Sequence, residues 1–242
     1  PNFFINWLPS TDTLKAITPT ELQKFYQQVM HPDHFVVAVS GNLTRKQMKR
    51  IVSAALNGVG SQGKHPFPKL HINRQPSGVY LRDASTAKTA DIVLTFPAIK
   101  RNNSDYIPLL VMNQALGGAS MSSHLFKTIR QSKGLTYGVY SYIFASQYRV
   151  PLVIAMNTGP KRVTESVKTL MEQLKLFKAT PLSEEELNMF KTSLIDGYIF
   201  GFDTISATMQ KMAKQAIMHF PLIDSEDYIR QIQAVTPQEV QE

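Results

Sequence analysis

The stretch that decides the fold is "LGGASMSSHLFKTIRQSKGLTYGVYSYI", residues 116–143. It contains two adjacent glycines, a polar helical run that stops at Gly134, and a run of β-forming residues. Arg130 and Tyr137 lie seven residues apart, on either side of the turn at Gly134. The spacing alone favours a structural interpretation, in which Arg130 satisfies the last helix carbonyls and Tyr137 is a buried strand aromatic. The other interpretation is that the two side chains form a functional site.

The sequence around this stretch is typical of strands followed by helices. Runs of β-forming residues predict strands at 34–41, 79–84, 90–97, 135–144 and 150–158. Apolar spacing and capping signals predict helices at 18–30, 44–56, 104–118 and 120–134, and three or four more after residue 160. The last two predicted strands are apolar on both faces, which indicates central positions. We therefore expect an α+β fold in which helices cover one side of an antiparallel-rich sheet.

The composition excludes several classes of protein. With 242 residues, 43% of them apolar and 18% charged, the chain has the composition of an ordinary globular protein. The absence of cysteine excludes thiol chemistry, zinc–thiolate sites and disulfides. The net charge is +8, but the basic residues are scattered and the densest cluster, residues 44–50, fits a solvated helix face. We therefore expect no nucleic-acid partner. No apolar run is as long as the roughly 18 residues needed to span a membrane.

A segment rich in Gly, Ser, Pro and Lys divides the chain. Its turn signals predict a linker at 58–77, which separates the tail of one domain, 1–57, from a second domain, 78–242. An internal repeat supports this division: "AITPTELQ" at 16–23 reappears as "AVTPQEVQ" at 234–241, 218 residues later. The repeat predicts tandem domains of equal fold, the second of them C-terminally incomplete, in a parent chain that is longer at both ends.

In a chain without cysteine, a zinc site would depend on histidine. His31 and His34 are three residues apart, but Pro32 between them argues against a helical ligand pair. His124 and His219 each stand alone on a predicted helix. The sequence contains no His-x-x-Glu-His, no His-x-x-His paired with Glu, no Gly-x-Ser-x-Gly elbow and no phosphate loop. We expect no metal ligand in this chain and no hydrolase activity from the chain by itself.

Four motifs within residues 116–137 resemble those of a known family. In chain order they are Leu116-Gly117-Gly118, Ser122-Ser123-His124-Leu125-Phe126, Arg130 and Gly134-Leu135-Thr136-Tyr137. In residue type and spacing they resemble the second domain of the pitrilysin/insulinase-type zinc metallopeptidases, which include the mitochondrial processing peptidase. One departure is His124, where arginine is common. The resemblance extends over nearly the whole chain, and the tandem domains of that family account for the internal repeat.

The resemblance implies a divided active site. In this family zinc is bound by His-x-x-Glu-His in a first domain, and the glutamate is the general base. An Arg and a Tyr from a distant second domain hold the substrate and stabilise the oxyanion. The residues that the resemblance assigns to substrate binding are Arg130, Tyr137, Gly117, Gly118, Ser122 and Ser123, of which Arg130 and Tyr137 are also catalytic. The family's zinc-binding helix corresponds to about 106–117, where the residues are apolar, so zinc is expected in a partner domain or subunit.

Two functions remain open. The first is the zinc-free, substrate-holding part of a peptidase that cleaves unfolded peptides, with a zinc-bearing homologous domain or subunit as partner. The peptide would add a strand to a sheet edge. The second is a catalytically inactive scaffold of the same fold, like the core subunits of respiratory complexes. The intact Arg130–Tyr137 pair favours the first, because a scaffold does not need it. Paired bacterial members of the family are commonly exported, which implies a periplasmic location.

Overall fold

The computed structural model describes residues 10–31, 34–59, 77–83, 86–144, 149–220 and 225–241. The chain divides into two compact units, Pro1–Asp83 and Ala84–Glu242, which we call the first unit and the second unit. Most of the predicted linker, residues 60–76, lies outside the described residues. The assignment of 58–77 as a linker between two repeat domains therefore stays a prediction.

The first unit contains helices, and the second combines helices with one small sheet. The α-helices are α1 (Thr11–Ala16), α2 (Pro19–Val29), α3 (Arg45–Ala55), α4 (Tyr106–Asn113), α5 (Val163–Ala179), α6 (Glu184–Phe200), α7 (Ile205–Ile217), α8 (Ser225–Ala234) and α9 (Pro237–Gln241). The strands are β1 (Ala90–Pro97), β2 (Val139–Ile143) and β3 (Pro151–Thr158). Shorter segments are π-helical at Gln114–Gly118 and Phe126–Ser132, and 3₁₀-helical at Ser120–Ser122 and Pro160–Arg162. None of the helices in the described ranges has the length and apolar character needed to cross a membrane.

Helices α2 and α3 of the first unit begin at capping boxes. The Thr18 hydroxyl accepts a hydrogen bond from the Glu21 amide at 3.3 Å, and the Glu21 carboxylate accepts one from the Thr18 amide at 2.8 Å. Thr44 and Gln47 repeat the arrangement at the start of α3. Each box satisfies backbone donors that the helix itself cannot pair. Because the described side chains of α1, α2 and α3 include none that is buried, local signals rather than a core define these helices.

Two of the predicted strands are wrong. Residues 35–41 and 79–83 are described and belong to no strand, although both segments are rich in β-forming side chains. Val79 is 97% exposed and Leu81 is 91% exposed. A strand is stable only when a neighbouring strand completes its hydrogen-bond ladder, and the pattern within one segment does not supply that neighbour. Residue 84, the last of the predicted 79–84 strand, lies outside the described residues.

The sheet of the second unit is antiparallel, with strand order β1-β3-β2. Ile92 of β1 is opposite Met156 of β3, which is in turn opposite Val139 of β2. The predicted central position is therefore confirmed for β3. It is wrong for β2, which in the described part of the chain pairs with β3 alone.

One face of this sheet packs against helices, and much of the other face is exposed. The buried cluster on the covered face consists of Ile92, Leu116, Leu125, Ile129, Leu135, Val139, Ile154, Met156 and Leu170. On the opposite face, Val93 and Tyr140 are more than half exposed. This alternation is the period-2 pattern of a sheet with a single covered face. The predicted α+β fold, with helices on one side of an antiparallel sheet, is confirmed.

A second cluster joins α4, α6 and α8. Its buried members are Tyr106, Ile107, Val111, Leu187, Tyr228, Ile232 and Val235. Beside it, the buried Lys191 on α6 donates from Nζ to the carbonyl of Gln233 in α8 at 2.9 Å. The cluster anchors α4, and α4 leads directly into the glycine pair and the motif region.

Candidate functional site

The predicted pair flanks a turn that the glycine makes possible. Gly134 has a φ of +57°, in the left-handed region that glycine adopts without strain. Its amide donates to the carbonyl of Arg130 at 3.2 Å, and the amide of Leu135 donates to the carbonyl of Ile129 at 3.1 Å. The chain thus leaves the π-helical segment through a left-handed helix end. We call residues Gly134–Gly138 the site turn.

Tyr137 points out of the site turn into solvent. Its side chain is 88% exposed, whereas Leu135 and Thr136 before it and Val139 after it are buried. Strand β2 begins only at Val139, four residues later than predicted, so Tyr137 belongs to the turn. The interpretation of Tyr137 as a buried strand aromatic is therefore wrong.

Hydrogen bonds to buried side chains hold the backbone of the site turn. The Thr158 hydroxyl donates to the carbonyl of Leu135 at 2.7 Å, and the Ser166 hydroxyl donates to Thr158 Oγ1 at 2.9 Å. The Thr136 hydroxyl accepts from the amide of Gly138 at 3.0 Å. Because β3 and α5 carry Thr158 and Ser166, the turn is fixed to the main body of the second unit.

Arg130 is partly exposed, and its guanidinium has neither a hydrogen bond nor an ion pair among the residues that the structure describes. The nearby helix-end carbonyl of Gly134 is satisfied instead by Arg162, whose Nη1 donates to it at 3.0 Å. Arg162 is in turn held by Glu165, with 3.3 Å between Nε and the carboxylate oxygen. Among the described residues, Arg130 therefore does not bond to the last helix carbonyls as the structural interpretation predicts, and Arg162 binds the carbonyl just beyond the helix end.

The two glycines of the pair differ in their surroundings. Gly117 is buried against β2, and a Cβ added to it would lie 2.5 Å from the backbone nitrogen of Ser141. Gly118 is exposed, and a Cβ there would lie 2.8 Å from Nδ2 of Asn113. Gly117 thus allows the helical segment to pack closely on the sheet. A contact of either glycine with a substrate stays a prediction.

Both serines of the motif donate to nearby backbone carbonyls. Ser122 Oγ donates to Ala119 O at 2.9 Å, and Ser123 Oγ donates to Ser120 O at 2.7 Å. Ser123 is completely buried, and Ser122 is partly exposed. These bonds shape the bend between the two π-helical segments, and the predicted contact of the serines with substrate stays a prediction.

His124, where the resemblance departs from the common arginine, packs inside the second unit. An imidazole nitrogen lies 3.1 Å from Gln173 Oε1, and the ring lies 5.4 Å from that of Phe177. Burial lowers the pKa of His124, and the hydrogen bond with Gln173 opposes that shift. The role of His124 is therefore packing between the motif region and α5.

The described ranges of the chain contain no group of three or more His, Asp or Glu side chains that could hold a metal ion. Residues 109–113, at the position that the repeat matches to the family's zinc helix, read Leu-Leu-Val-Met-Asn. The donors for a metal-activated water are therefore not found in the part of the chain that the structure describes.

The family model for the peptidase M16 inactive domain matches residues 16–194. The chain belongs to this family. The match confirms the resemblance that rested on the motifs of residues 116–137. It also agrees with a fold in which the motif region is intact and the zinc-ligand sequence is missing.

Relatives and solved structures of M16 proteins match nearly the whole chain. An uncharacterized zinc protease of Streptomyces coelicolor is 27% identical over 239 residues, which cover 96% of this chain and 52% of the relative. A non-peptidase homolog from Helicobacter pylori is 24% identical over 243 residues, covering 96% of this chain and 54% of that protein. The crystal structure of a peptidase M16 inactive domain from Pseudomonas fluorescens has a TM-score of 0.75 at 23% identity, covering 96% of this chain and 54% of that one. At that identity the structure shows the shared fold. The M16 chain described here spans about half the length of the curated relatives.

The side chains that support the site turn in this M16 domain were not predicted from the sequence. Thr158 ends a strand whose residues 152, 154 and 156 all face the core. A hydroxyl at the next inward position is a signal for a buried hydrogen bond, because a buried polar group needs a partner. Arg162 and Ser166 carried no comparable signal, because the partner of Arg162 is the Gly134 carbonyl, 28 residues earlier, and the partner of Ser166 is the Thr158 hydroxyl, eight residues earlier.

Proposed function

We propose that this chain is the zinc-free, substrate-binding part of an M16-type metalloendopeptidase. It would supply Arg130 and Tyr137 to a zinc site in another domain or subunit that hydrolyses peptides. The observation that carries the proposal is the pair itself: Arg130 is partly exposed just before the site turn, Tyr137 is exposed within it, and buried hydrogen bonds hold the backbone of that turn. Two polar side chains that have no hydrogen-bond partner among the described residues and lie on a fixed backbone are typical of a binding site rather than of a packing contact.

The chemistry of the two side chains suits this role. A guanidinium offers forked donors, so Arg130 would bind a backbone carbonyl or a carboxylate of the peptide. The phenol of Tyr137 would donate one hydrogen bond to the developing oxyanion, a contribution of about 3–4 kcal/mol in comparable sites. When bound in the partner, zinc would supply the activated water. The residues of this chain bind and orient the peptide and stabilise the charge on its carbonyl oxygen.

The proposed partner is a zinc-bearing homologous domain or subunit. The zinc-protease name of the Streptomyces relative and its roughly twofold greater length support this, because such a protein has room for a second M16 domain. The proposed substrate is an unfolded peptide. A periplasmic location completes the proposal and agrees with the absence of cysteine, which makes the chain indifferent to an oxidising compartment.

The test is reconstitution with the homologous subunit that carries His-x-x-Glu-His, using an internally quenched fluorogenic peptide. Tyr137→Phe and Arg130→Ala should each lower kcat/KM by about 100-fold, because each removes a donor aimed at the reacting peptide. The matched controls are Tyr140→Phe and Arg230→Ala, which change exposed side chains on β2 and α8. Both controls should leave turnover unchanged.

Two results would overturn this assignment. One is wild-type turnover from correctly folded Arg130→Ala and Tyr137→Phe. The other is metal analysis showing one zinc bound per chain in the purified protein alone, since the proposal gives this chain no zinc site. The proposal is supported if the reconstituted pair cleaves the peptide and the purified chain alone contains no zinc.

A second candidate is a catalytically inactive scaffold of the same fold. The observation that favours it is the Helicobacter relative, which is named a non-peptidase homolog and matches 96% of this chain. A scaffold would associate with its partner without contributing to cleavage. If the chain associates with its partner subunit in the reconstitution but no pairing of subunits cleaves the peptide, this candidate is favoured over the first.

A further inference from the structure

We infer that the buried hydroxyl groups of Thr136, Thr158 and Ser166 position Tyr137 within the site turn and Arg130 just before it. The three are positioning residues: none of them would contact the substrate, and each acts through the backbone of the turn. This inference rests on the proposed function, because positioning has consequences for turnover only if the exposed pair takes part in it.

The direction of the hydrogen bonds under the turn follows from the donors available. The Leu135 carbonyl can only accept, so the single proton of the Thr158 hydroxyl points to it, at 2.7 Å. Thr158 Oγ1 can then only accept from Ser166, whose hydroxyl lies 2.9 Å away. The three groups form an ordered chain from α5 through β3 to the turn. Ser166 is completely buried and Thr158 nearly so, which shields these bonds from competition with water.

Thr136 holds the second half of the turn. Its hydroxyl accepts from the amide of Gly138 at 3.0 Å. Its own proton has two acceptors within reach, the carbonyl of Gly138 at 2.8 Å and Oδ1 of Asn157 at 3.0 Å. Asn157 and Thr158 are the last two residues of β3, so the end of one central strand holds both halves of the turn.

These bonds bracket Tyr137 without touching its side chain. The carbonyl of Leu135 is held two residues before it, and the amide of Gly138 is held one residue after it. The direction of the Cα–Cβ bond of Tyr137 is thereby set, while the phenol remains free to meet a substrate. Arg130 is linked to the same turn, since its carbonyl accepts from the amide of Gly134 at 3.2 Å. A catalytic donor misplaced by about 1 Å can lose about 100-fold in rate, so this support matters for the chemistry.

The test uses Thr158→Val in the reconstituted peptidase, with the fluorogenic peptide and with activity expressed per folded molecule. Valine keeps the shape of threonine but leaves the Leu135 carbonyl without its donor and the Ser166 hydroxyl without its acceptor. We expect kcat to fall about tenfold with little change in KM, because the loosened turn misplaces a donor used in the transition state. Thr158→Ser, which keeps the hydroxyl, should restore turnover close to wild type.

The control is Lys191→Met, which removes a buried donor on α6 that is bonded to α8 rather than to the site turn. It should lower stability and leave kcat per folded molecule unchanged. If Thr158→Val does not fold, Ser166→Ala is the replacement, since it removes only the outer donor of the chain and should lower kcat less.

The outcomes separate this inference from the proposed function. If Tyr137→Phe slows cleavage while Thr158→Val and Ser166→Ala have the wild-type kcat, the inference that the hydroxyl groups position the site is overturned and the proposed function stands. If Tyr137→Phe also has no effect, the proposed function fails and the inference fails with it. A tenfold loss in Thr158→Val that Thr158→Ser restores supports the inference.

Discussion

The repeated eight-residue sequence begins a helix in each unit, and the bonds that form the two helix starts are nearly identical. The Thr18 and Glu21 box at the start of α2 has lengths of 2.8 and 3.3 Å. The Thr236 and Glu239 box at the start of α9 has the same two lengths. Eight residues of sequence were therefore enough to produce the same local structure in two different surroundings.

The surroundings of the two copies differ. Helix α2 buries none of its described side chains. Beside α9, Val235 is buried in the second cluster, and Nε2 of Gln241 donates to the carbonyl of Lys178 at 2.8 Å. Capping therefore decides where a helix begins, whereas packing decides whether the rest of the fold depends on that helix.

The largest expected effect concerns the core of the second unit. Ile154 is completely buried at the centre of β3. Ile154→Ala should lower the free energy of unfolding by about 2–5 kcal/mol, from lost burial and the cavity left behind. The matched change in the first unit is Phe25→Ala on α2, where the ring is mostly exposed, and it should cost less than about 0.5 kcal/mol. Urea unfolding followed by circular dichroism measures both, and equal losses would remove the contrast between the units.

A smaller effect is expected where helix and sheet touch. Gly117→Ala would place a methyl group against the backbone of Ser141 and should cost about 1–3 kcal/mol through overpacking. Gly197 within α6 has open space around it, so Gly197→Ala should stabilise by about 0.5–1 kcal/mol through helix propensity. The two changes are chemically identical, so a thermal unfolding temperature that is unchanged or raised by Gly117→Ala would contradict the close approach at Gly117.

The repeat itself allows a direct comparison of the two capping boxes. Thr236→Ala should lower the free energy of unfolding of the second unit by about 1 kcal/mol, since the lost cap belongs to a helix that packs on the core. Thr18→Ala removes the same bond and should leave that main transition in place, with faster amide hydrogen exchange confined to α2. A shift of the main transition by Thr18→Ala would show that the two copies are equally coupled to the core.

The smallest expected effect is a pH dependence from His124. Burial lowers its folded-state pKa, so the folded protein binds the proton less readily than the unfolded chain, whose histidine pKa is about 6.5. The corresponding stability is present above the unfolded pKa and is lost as the pH falls through the lower, folded one. We expect the free energy of unfolding to drop as the pH falls below about 6.5, and to drop less in His124→Gln. Superimposable pH profiles of the two proteins would contradict the burial of this imidazole.

Local signals predicted several details of the site correctly. The helix end at Gly134 followed from the glycine, and Gly134 adopts the left-handed conformation for which the residue is suited. The fold class and the family followed from motifs and periodicity; the family match confirms the family, and the three-stranded antiparallel sheet and the shared fold of the solved M16 domain confirm the fold class. Each of these depends on residues close together in the chain.

The position of Tyr137 shows where such reasoning fails. Leu135, Tyr137 and Val139 alternate in the sequence, so a strand beginning at 135 would put all three on one face. In the structure Leu135 and Val139 are buried and Tyr137 is exposed, because the Thr136–Gly138 hydrogen bond turns the chain before β2 begins. The partners that anchor this turn come from β3 and α5, whose contacts could not be read from the pattern of residues 135–144.

By itself, the sequence determined the helix starts, the glycine-dependent turn, the missing zinc-ligand sequence and the family, because each depends on groups a few residues apart. The tertiary structure alone decided which β-rich segments became strands, and placed Arg162, Thr158 and Ser166 beneath the turn that carries Tyr137. A strand needs a neighbour and a buried hydroxyl needs a partner, and the fold brings both from distant parts of the chain.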